Sequence, residues 1–182
     1  MFIFLNILLL LIFLLALLFF VILFAGLFFS KSCASPWVPL TKKYVERSLK
    51  IADLKPTDIL YDLGSGDGRI VIAAAKKYKV QSRGIELVWP LCLISNLLIK
   101  LAGLGRLAKV KCGNIMKEDF SEATVIICYL MPNFLEALVP KFKKELKPGT
   151  KIISAAFKIN GLTLLKIDRP TPNDKPIYLY QI

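Results

Sequence analysis

Histidine is absent from the 182 residues of this chain. Its absence excludes Ser-His-Asp and Cys-His nucleophile systems and every His-ligated metal site. Cysteine is scarce. Cys33, Cys92, Cys112 and Cys128 stand apart with no CxxC pair, so neither a zinc site nor a thioredoxin-like motif is indicated. Cys92, Cys112 and Cys128 are embedded in apolar segments, where a free thiol reads as a small hydrophobe in a reducing compartment. Charge is missing from residues 1–30 altogether, and no second long apolar run follows Phe29, which excludes a polytopic membrane protein. All 25 Lys+Arg and 13 Asp+Glu therefore lie from Lys31 onward, and that part carries the whole net charge of +12. It is also rich in Ile, Leu and Val, so intrinsic disorder is excluded.

Phe2–Phe29 is an apolar run broken only by Asn6 and Gly26. At about 1.5 Å per residue, such a helix exceeds the roughly 30 Å hydrocarbon core and spans it with tilt. A cleavable signal peptide would need a basic start and a much shorter apolar stretch. A buried core helix is excluded, because so small a domain could not cover the run on all sides. Lys31, Lys42, Lys43 and Arg47 follow the run, so the positive-inside rule places the remainder on the cytoplasmic side or its topological equivalent. Residues 2–29 thus read as a single-pass signal anchor in the lipid bilayer.

Beyond Phe29, Pro36-Trp37-Val38-Pro39 reads as an extended linker. A helix is predicted over 42–53, then strand and helix patterns alternate. Strands are expected at Asp58–Asp62, Ser82–Glu86, Lys109–Cys112, Thr124–Tyr129 and Lys151–Phe157, with helices near 69–78, 89–103 and 133–146. This alternation predicts a parallel sheet with helices on both faces. Asn160-Gly161 predicts a hairpin between Ala155–Ile159 and Leu162–Ile167. A last strand, Ile177–Ile182, completes an antiparallel edge.

The strongest chemical signal is Asp62-Leu63-Gly64-Ser65-Gly66-Asp67-Gly68, placed between a strand and a helix. Its glycines allow a sharp turn and close backbone approach to a ligand, and the following helix N-terminus offers N–H groups to an anion. The spacing is G-x-G-x-G, not the dinucleotide pattern G-x-G-x-x-G, and an acid stands two residues before the first Gly. Asp62 would repel a pyrophosphate but pair with a cationic amino group. The methionine part of S-adenosylmethionine, with its ammonium and carboxylate, satisfies both ends of the loop. Asp62, Gly64, Ser65, Gly66, Asp67 and Gly68 are therefore candidate cofactor-binding residues. Glu86, at the end of the second strand, is placed to accept both ribose hydroxyls. Asn114, after the third strand, can offer an amide to an adenine edge or serve simply as a turn residue.

Asp62-Leu-Gly-Ser-Gly-Asp-Gly-Arg-Ile-Val-Ile and Gly84-Ile-Glu86 resemble motifs of class I S-adenosylmethionine-dependent methyltransferases. The apolar anchor, Pro36–Pro39, Tyr129-Leu130-Met131-Pro132 and Glu145-Leu146-Lys147-Pro148-Gly149 are similar to one branch. That branch is the small membrane-anchored protein-lysine methyltransferases, which include mitochondrial enzymes modifying the c-ring protein of ATP synthase and the adenine nucleotide translocase. The resemblance implies an α/β fold, a Rossmann-like sheet with antiparallel C-terminal strands preceded by one transmembrane helix. It divides the chain into an anchor (1–30), a linker with an N-terminal helix (31–56) and a methyltransferase domain (57–182). It departs from the superfamily at Asn114, where an acid is common, and in having a turn where most class I enzymes place a helix between strands five and six.

With no His, a carboxylate, Tyr129, a backbone carbonyl or water must take the proton from a lysine nucleophile. Tyr129, at the carboxyl end of the fourth strand, is the candidate catalytic residue. Pro132 and Trp37 are candidate substrate or lid residues, with interfacial anchoring the alternative for Trp37. The scattered Lys and Arg, and Tyr-Leu-Met-Pro in place of a [DN]-P-P-[YF] box, argue against a nucleic-acid partner. The basic charge reads instead as apposition to an anionic leaflet, and Glu118, Asp119 and Glu122 form a candidate counter-surface for a basic substrate. The expected activity is methylation of a lysine on a membrane-associated protein. Alternatives are a lipid or small-molecule methyltransferase and a non-catalytic cofactor-binding scaffold.

Overall fold

The computed structural model describes residues 2–29 and 38–182. Helix α1 (Phe2–Phe29) is followed by α2 (Lys42–Ala52), β1 (Ile59–Leu63), α3 (Arg69–Tyr78), β2 (Gln81–Glu86), α4 (Trp89–Leu101) and β3 (Ala108–Cys112). Then come β4 (Val125–Cys128), α5 (Pro132–Glu145), β5 (Lys151–Ala155), β6 (Thr163–Asp168) and β7 (Ile177–Gln181). The strands make one sheet in the order β3-β2-β1-β4-β5-β7-β6, parallel from β3 to β5.

The central strands are apolar on both sides because both faces of the sheet are covered. Successive residues point to opposite faces, so Leu60, Val125, Ile127 and Ile153 pack with Val45 and Leu49 of α2 and Ile70 and Ala74 of α3. Tyr61, Leu63, Ile126, Cys128 and Ile152 pack with Leu135, Leu138 and Phe142 of α5 on the other face. Helix α4 joins α3 and β3 through Cys92, Ile99, Val71 and Val110. Leu40 is buried with α2 and α3, so the chain enters the folded part there. Pro36 and Trp37 lie outside the described residues.

The C-terminal strands differ from the expected hairpin. β7 inserts between β5 and β6 and runs antiparallel to both, pairing Ser154 with Tyr178 on one side and Ile167 with Tyr178 on the other. β6 is consequently the edge strand and runs parallel to β5. Burial explains the order: Ile177 and Tyr180 of β7 are fully buried, whereas Thr163–Ile167 of β6 are exposed except where the strand ends. The chain also leaves the sheet early, as Ala156 takes a φ of 68° and the Ser154 hydroxyl donates to the Phe157 carbonyl at 2.7 Å. Asn160-Gly161 does turn, but the Ile159 N–H is held by the Tyr180 hydroxyl at 2.8 Å, not by a hairpin partner.

Candidate active site

β1 delivers the chain into the glycine loop at the carboxyl edge of the parallel sheet. Gly64, Gly66 and Gly68 have φ values of 80°, 55° and 76°, which L side chains rarely adopt. The Gly64 and Ser65 N–H groups both donate to the Ile85 carbonyl, at 2.9 and 3.1 Å, which folds the loop back over β2. That approach is possible because residue 84 is also glycine: a Cβ there would lie 2.5 Å from Ser65 Oγ. The Ser95 hydroxyl of α4 donates to the Gly66 carbonyl at 2.8 Å, and Arg69 donates to the Leu40 carbonyl at 2.5 Å. The loop is therefore fastened to β2, α4 and the segment before α2.

Three carboxylates converge here. Glu86 Oε2 accepts the Gly66 N–H at 2.8 Å and Oε1 accepts the Val88 N–H at 2.9 Å. These two bonds fix the carboxylate, and a carboxylate has about four acceptor sites, so two remain for further donors. Asp67 forms an ion pair with Arg69 at 2.5 Å. Asp62 has no hydrogen-bond partner among the described residues. Burial, with Glu86 and Asp67 adding like charge, pushes its carboxyl up to about 8. Ser65 Oγ is buried with no hydrogen-bond partner. Surplus negative charge, spare carboxylate acceptors and an orphaned hydroxyl around a glycine cradle fit a ligand carrying an ammonium and sugar hydroxyls, as S-adenosylmethionine does.

Tyr129 follows β4 directly, and Cys128 pairs with Leu63, so the tyrosine borders the glycine loop. Its ring stacks on Phe157 at 6.1 Å. The Lys175 ammonium donates to the Tyr129 hydroxyl at 2.9 Å and lies over the rings of Tyr129 and Tyr44, at 5.2 and 6.0 Å. Lys175 is held by α2. Arg47 donates to Asp168 Oδ2 and the Asp168 carbonyl, both at 2.7 Å, and to the Lys175 carbonyl at 3.2 Å. The Tyr44 hydroxyl accepts the Lys175 N–H at 3.1 Å, and Lys43 pairs with Asp174. Lys43 and the Thr171 hydroxyl hold the Asp174 carboxyl below the usual carboxylate range.

The sequence-predicted residues Asp62, Gly64, Ser65, Gly66, Asp67, Gly68 and Glu86 thus converge at one sheet edge, with Tyr129 beside them. Pro132 is the first residue of α5, where its missing N–H costs nothing. Asn114 is half-buried, and its Oδ1 accepts the Met116 N–H at 2.9 Å, so the side-chain oxygen closes a turn. Trp37 lies outside the described residues. Two expectations need correction. Glu118 and Glu122 are no free counter-surface, because Lys111 pairs with Glu118 at 2.5 Å and Arg83 with Glu122. Cys112 is exposed, since it ends the outermost parallel strand, while Cys92 and Cys128 are buried and burial pushes the Cys128 thiol up to about 12.

Sequence reasoning missed Gly84 as a packing requirement, and also Ser95, Tyr44 and Lys175. Gly84 had a signal, standing two residues before Glu86. Ser95 and Lys175 act through contacts with residues 29 and 46 positions away, for which no local pattern exists.

Comparison with known proteins agrees with this geometry. Residues 62–166 match the ANTKMT methyltransferase domain. The chain is 40% identical over 151 residues to a protein-lysine N-methyltransferase of Saccharolobus islandicus, covering 81% of this chain and 93% of that one. It is 33% identical over 122 residues to the Homo sapiens lysine N-methyltransferase that acts on the c-ring protein of ATP synthase, covering 67% of this chain and 52% of that protein. It therefore spans about half the length of that human relative. An RNA methyltransferase from Salinibacter ruber, crystallised with S-adenosyl-L-homocysteine, superimposes with a TM-score of 0.76 at 37% identity, over 80% of this chain and 94% of that one. A glycine cradle lined by buried acids, on a sheet shared with these proteins, has one reading: the chain belongs to the ANTKMT methyltransferase domain family of S-adenosylmethionine-dependent protein-lysine N-methyltransferases.

Proposed function

We propose that this protein N-methylates a lysine of a membrane-associated protein, with α1 as a single-pass anchor and the sheet domain on the cytoplasmic side or its topological equivalent. The observation that carries the membrane part is α1: Phe4–Phe24 is long and apolar enough to cross a bilayer, and none of it is buried against the rest of the protein. A side-chain surface of that kind is unfavourable in water along its whole length.

S-adenosylmethionine, when bound, supplies a methyl group activated by a positively charged sulfur. Asp62 pairs with its ammonium, Glu86 accepts from its ribose hydroxyls, and Gly64, Ser65, Gly66, Asp67 and Gly68 shape the cradle. Asn114 offers its side-chain amide to the adenine. A substrate lysine, whose reference pKa is about 10.4, must lose a proton before it can accept a methyl group. Tyr129 positions that nitrogen. Its hydroxyl and ring already engage the Lys175 ammonium, an arrangement that suits a lysine head group. Trp37 and Pro132 border the substrate entry.

RNA is the second reading, because the Salinibacter ruber protein is described as an RNA methyltransferase. One experiment separates the alternatives. Full-length protein is incubated with membranes and radiolabelled methyl donor, then label is measured in protein, lipid extract and RNA. Label on lysine of a membrane protein is expected, and it should fall sharply in cells when residues 1–30 are deleted, since tethering replaces bulk concentration by an effective one reaching about millimolar. Label confined to RNA or lipid would overturn the substrate reading.

A further inference from the structure

Helix α4 presents two unlike faces. Inward, Leu91, Cys92, Ser95 and Ile99 are buried, and Ser95 fastens the glycine loop. Outward, Trp89, Leu93, Leu97, Leu98 and Leu101 are between 41% and 75% exposed. Four of these five recur every fourth residue, which places them in one stripe along the helix. Leu87, just before the helix, extends the patch. A soluble domain rarely leaves so continuous an apolar stripe open to water.

Two further observations say what covers it. α4 is in contact with α1, the helix whose surface demands a bilayer, so the stripe begins where the anchor meets the domain. The charge around it is of one sign: residues 87–117 contain Lys100, Arg106, Lys109, Lys111 and Lys117 and no Asp or Glu. Lys100 on the helix and Arg106 just after it are exposed. Apolar side chains with a Trp at one end and cations beside them are the chemistry of a helix lying in the headgroup region of an anionic leaflet.

We infer that α4 is a second membrane contact, lying flat in the interface of the bilayer that α1 spans. This rests on the membrane reading above and adds an orientation to it. Because α4 follows Glu86 directly and Ser95 grips the loop, seating α4 in the interface fixes the height and tilt of the cofactor site over the membrane. An anchor alone, joined through residues 30–37, fixes only proximity.

The test uses the full chain in phosphatidylcholine–phosphatidylglycerol vesicles, with bromine on the upper acyl carbons of the phosphatidylcholine. The chain has two tryptophans, so Trp37→Phe leaves Trp89 as the only reporter. Its fluorescence should fall about twofold or more against unbrominated vesicles, as expected for an indole at the acyl boundary. Leu93→Glu combined with Leu97→Glu should abolish the quenching while the protein still floats with vesicles and still binds S-adenosylhomocysteine, which shows it is folded. Flotation without Trp89 quenching would overturn this inference and leave the anchor standing. Failure to float would overturn the anchor reading and this one with it. A detergent-solubilised dimer that the double variant dissociates would assign the stripe to a second copy and overturn the lipid assignment.

Discussion

The two halves of the sheet's carboxyl edge are built from different materials. On the β1–β2 side the site is backbone and buried acid: three glycines with positive φ, a carboxylate locked by two N–H groups, and Asp62 with no counter-ion among the described residues. On the β4–β7 side it is aromatic rings and ion pairs: Tyr129, Phe157 and Tyr44 around Lys175, with Arg47 of α2 clamping the chain at Asp168 and Lys175. The first half is rigid and closed, so it suits one invariant cofactor. The second rests on exposed side chains held by α2, the first element of the sheet domain after the linker, and so is the half through which a tether could adjust substrate entry. Changes in the two halves should therefore move different constants.

Glu86→Ala gives the largest expected effect. It removes a charged acceptor from Gly66 and Val88 as well as from the cofactor, and at about 1.5–3 kcal/mol for a charge-assisted bond the S-adenosylhomocysteine dissociation constant should rise about tenfold to a hundredfold. Calorimetry measures it. A matching rise in the KM for the protein substrate would break the division between the halves.

Asp62 sharpens the comparison through pH. Its carboxyl is raised to about 8, so below that pH the cofactor-free protein holds a proton that pairing with an ammonium must expel. Affinity should rise with pH by up to about tenfold per unit and level off near 8, with proton release seen by calorimetry in buffers of different ionisation enthalpy. The cofactor-free protein should show the opposite trend in stability. Its folded state binds more protons than its unfolded state between the ordinary aspartate range and about 8, so its melting temperature falls as pH rises through that window. Asp62→Asn should flatten both curves; a pH-independent affinity in the parent protein would remove Asp62 from the ammonium site.

Arg47→Ala addresses the other half. It frees the chain at Asp168 and Lys175, so the protein substrate's KM should rise about fivefold while the cofactor constant stays put, the loss being that of a partly exposed ion-pair network. Lys175→Met should have the smallest effect, about twofold on the same KM, since one exposed cation–π contact is worth about 0.5 kcal/mol. Steady-state assays with varied protein substrate and saturating cofactor read both.

Local pattern determined much of this protein. The glycine spacing with Asp62, the acid at Glu86, the apolar first helix and the strand–helix alternation are properties of neighbouring residues, and backbone sterics, hydrogen-bonding needs and periodicity act over a few positions at a time. Hence the cofactor cradle was legible almost residue by residue. What the tertiary structure alone decided involves distance in sequence. β7 displaced β6 because burial is a property of the completed sheet, and a turn signal at Asn160-Gly161 says only that the chain reverses, not what fills the gap. Glu118 and Glu122 read as free acids until folding brought Lys111 and Arg83 to them. Ser95 met Gly66, Arg47 met Asp168, and Lys175 met Tyr129 across 29, 121 and 46 positions. The outward stripe of α4 carries the same lesson: its leucines are ordinary for a core helix, and only the packed sheet shows which of them the core does not reach.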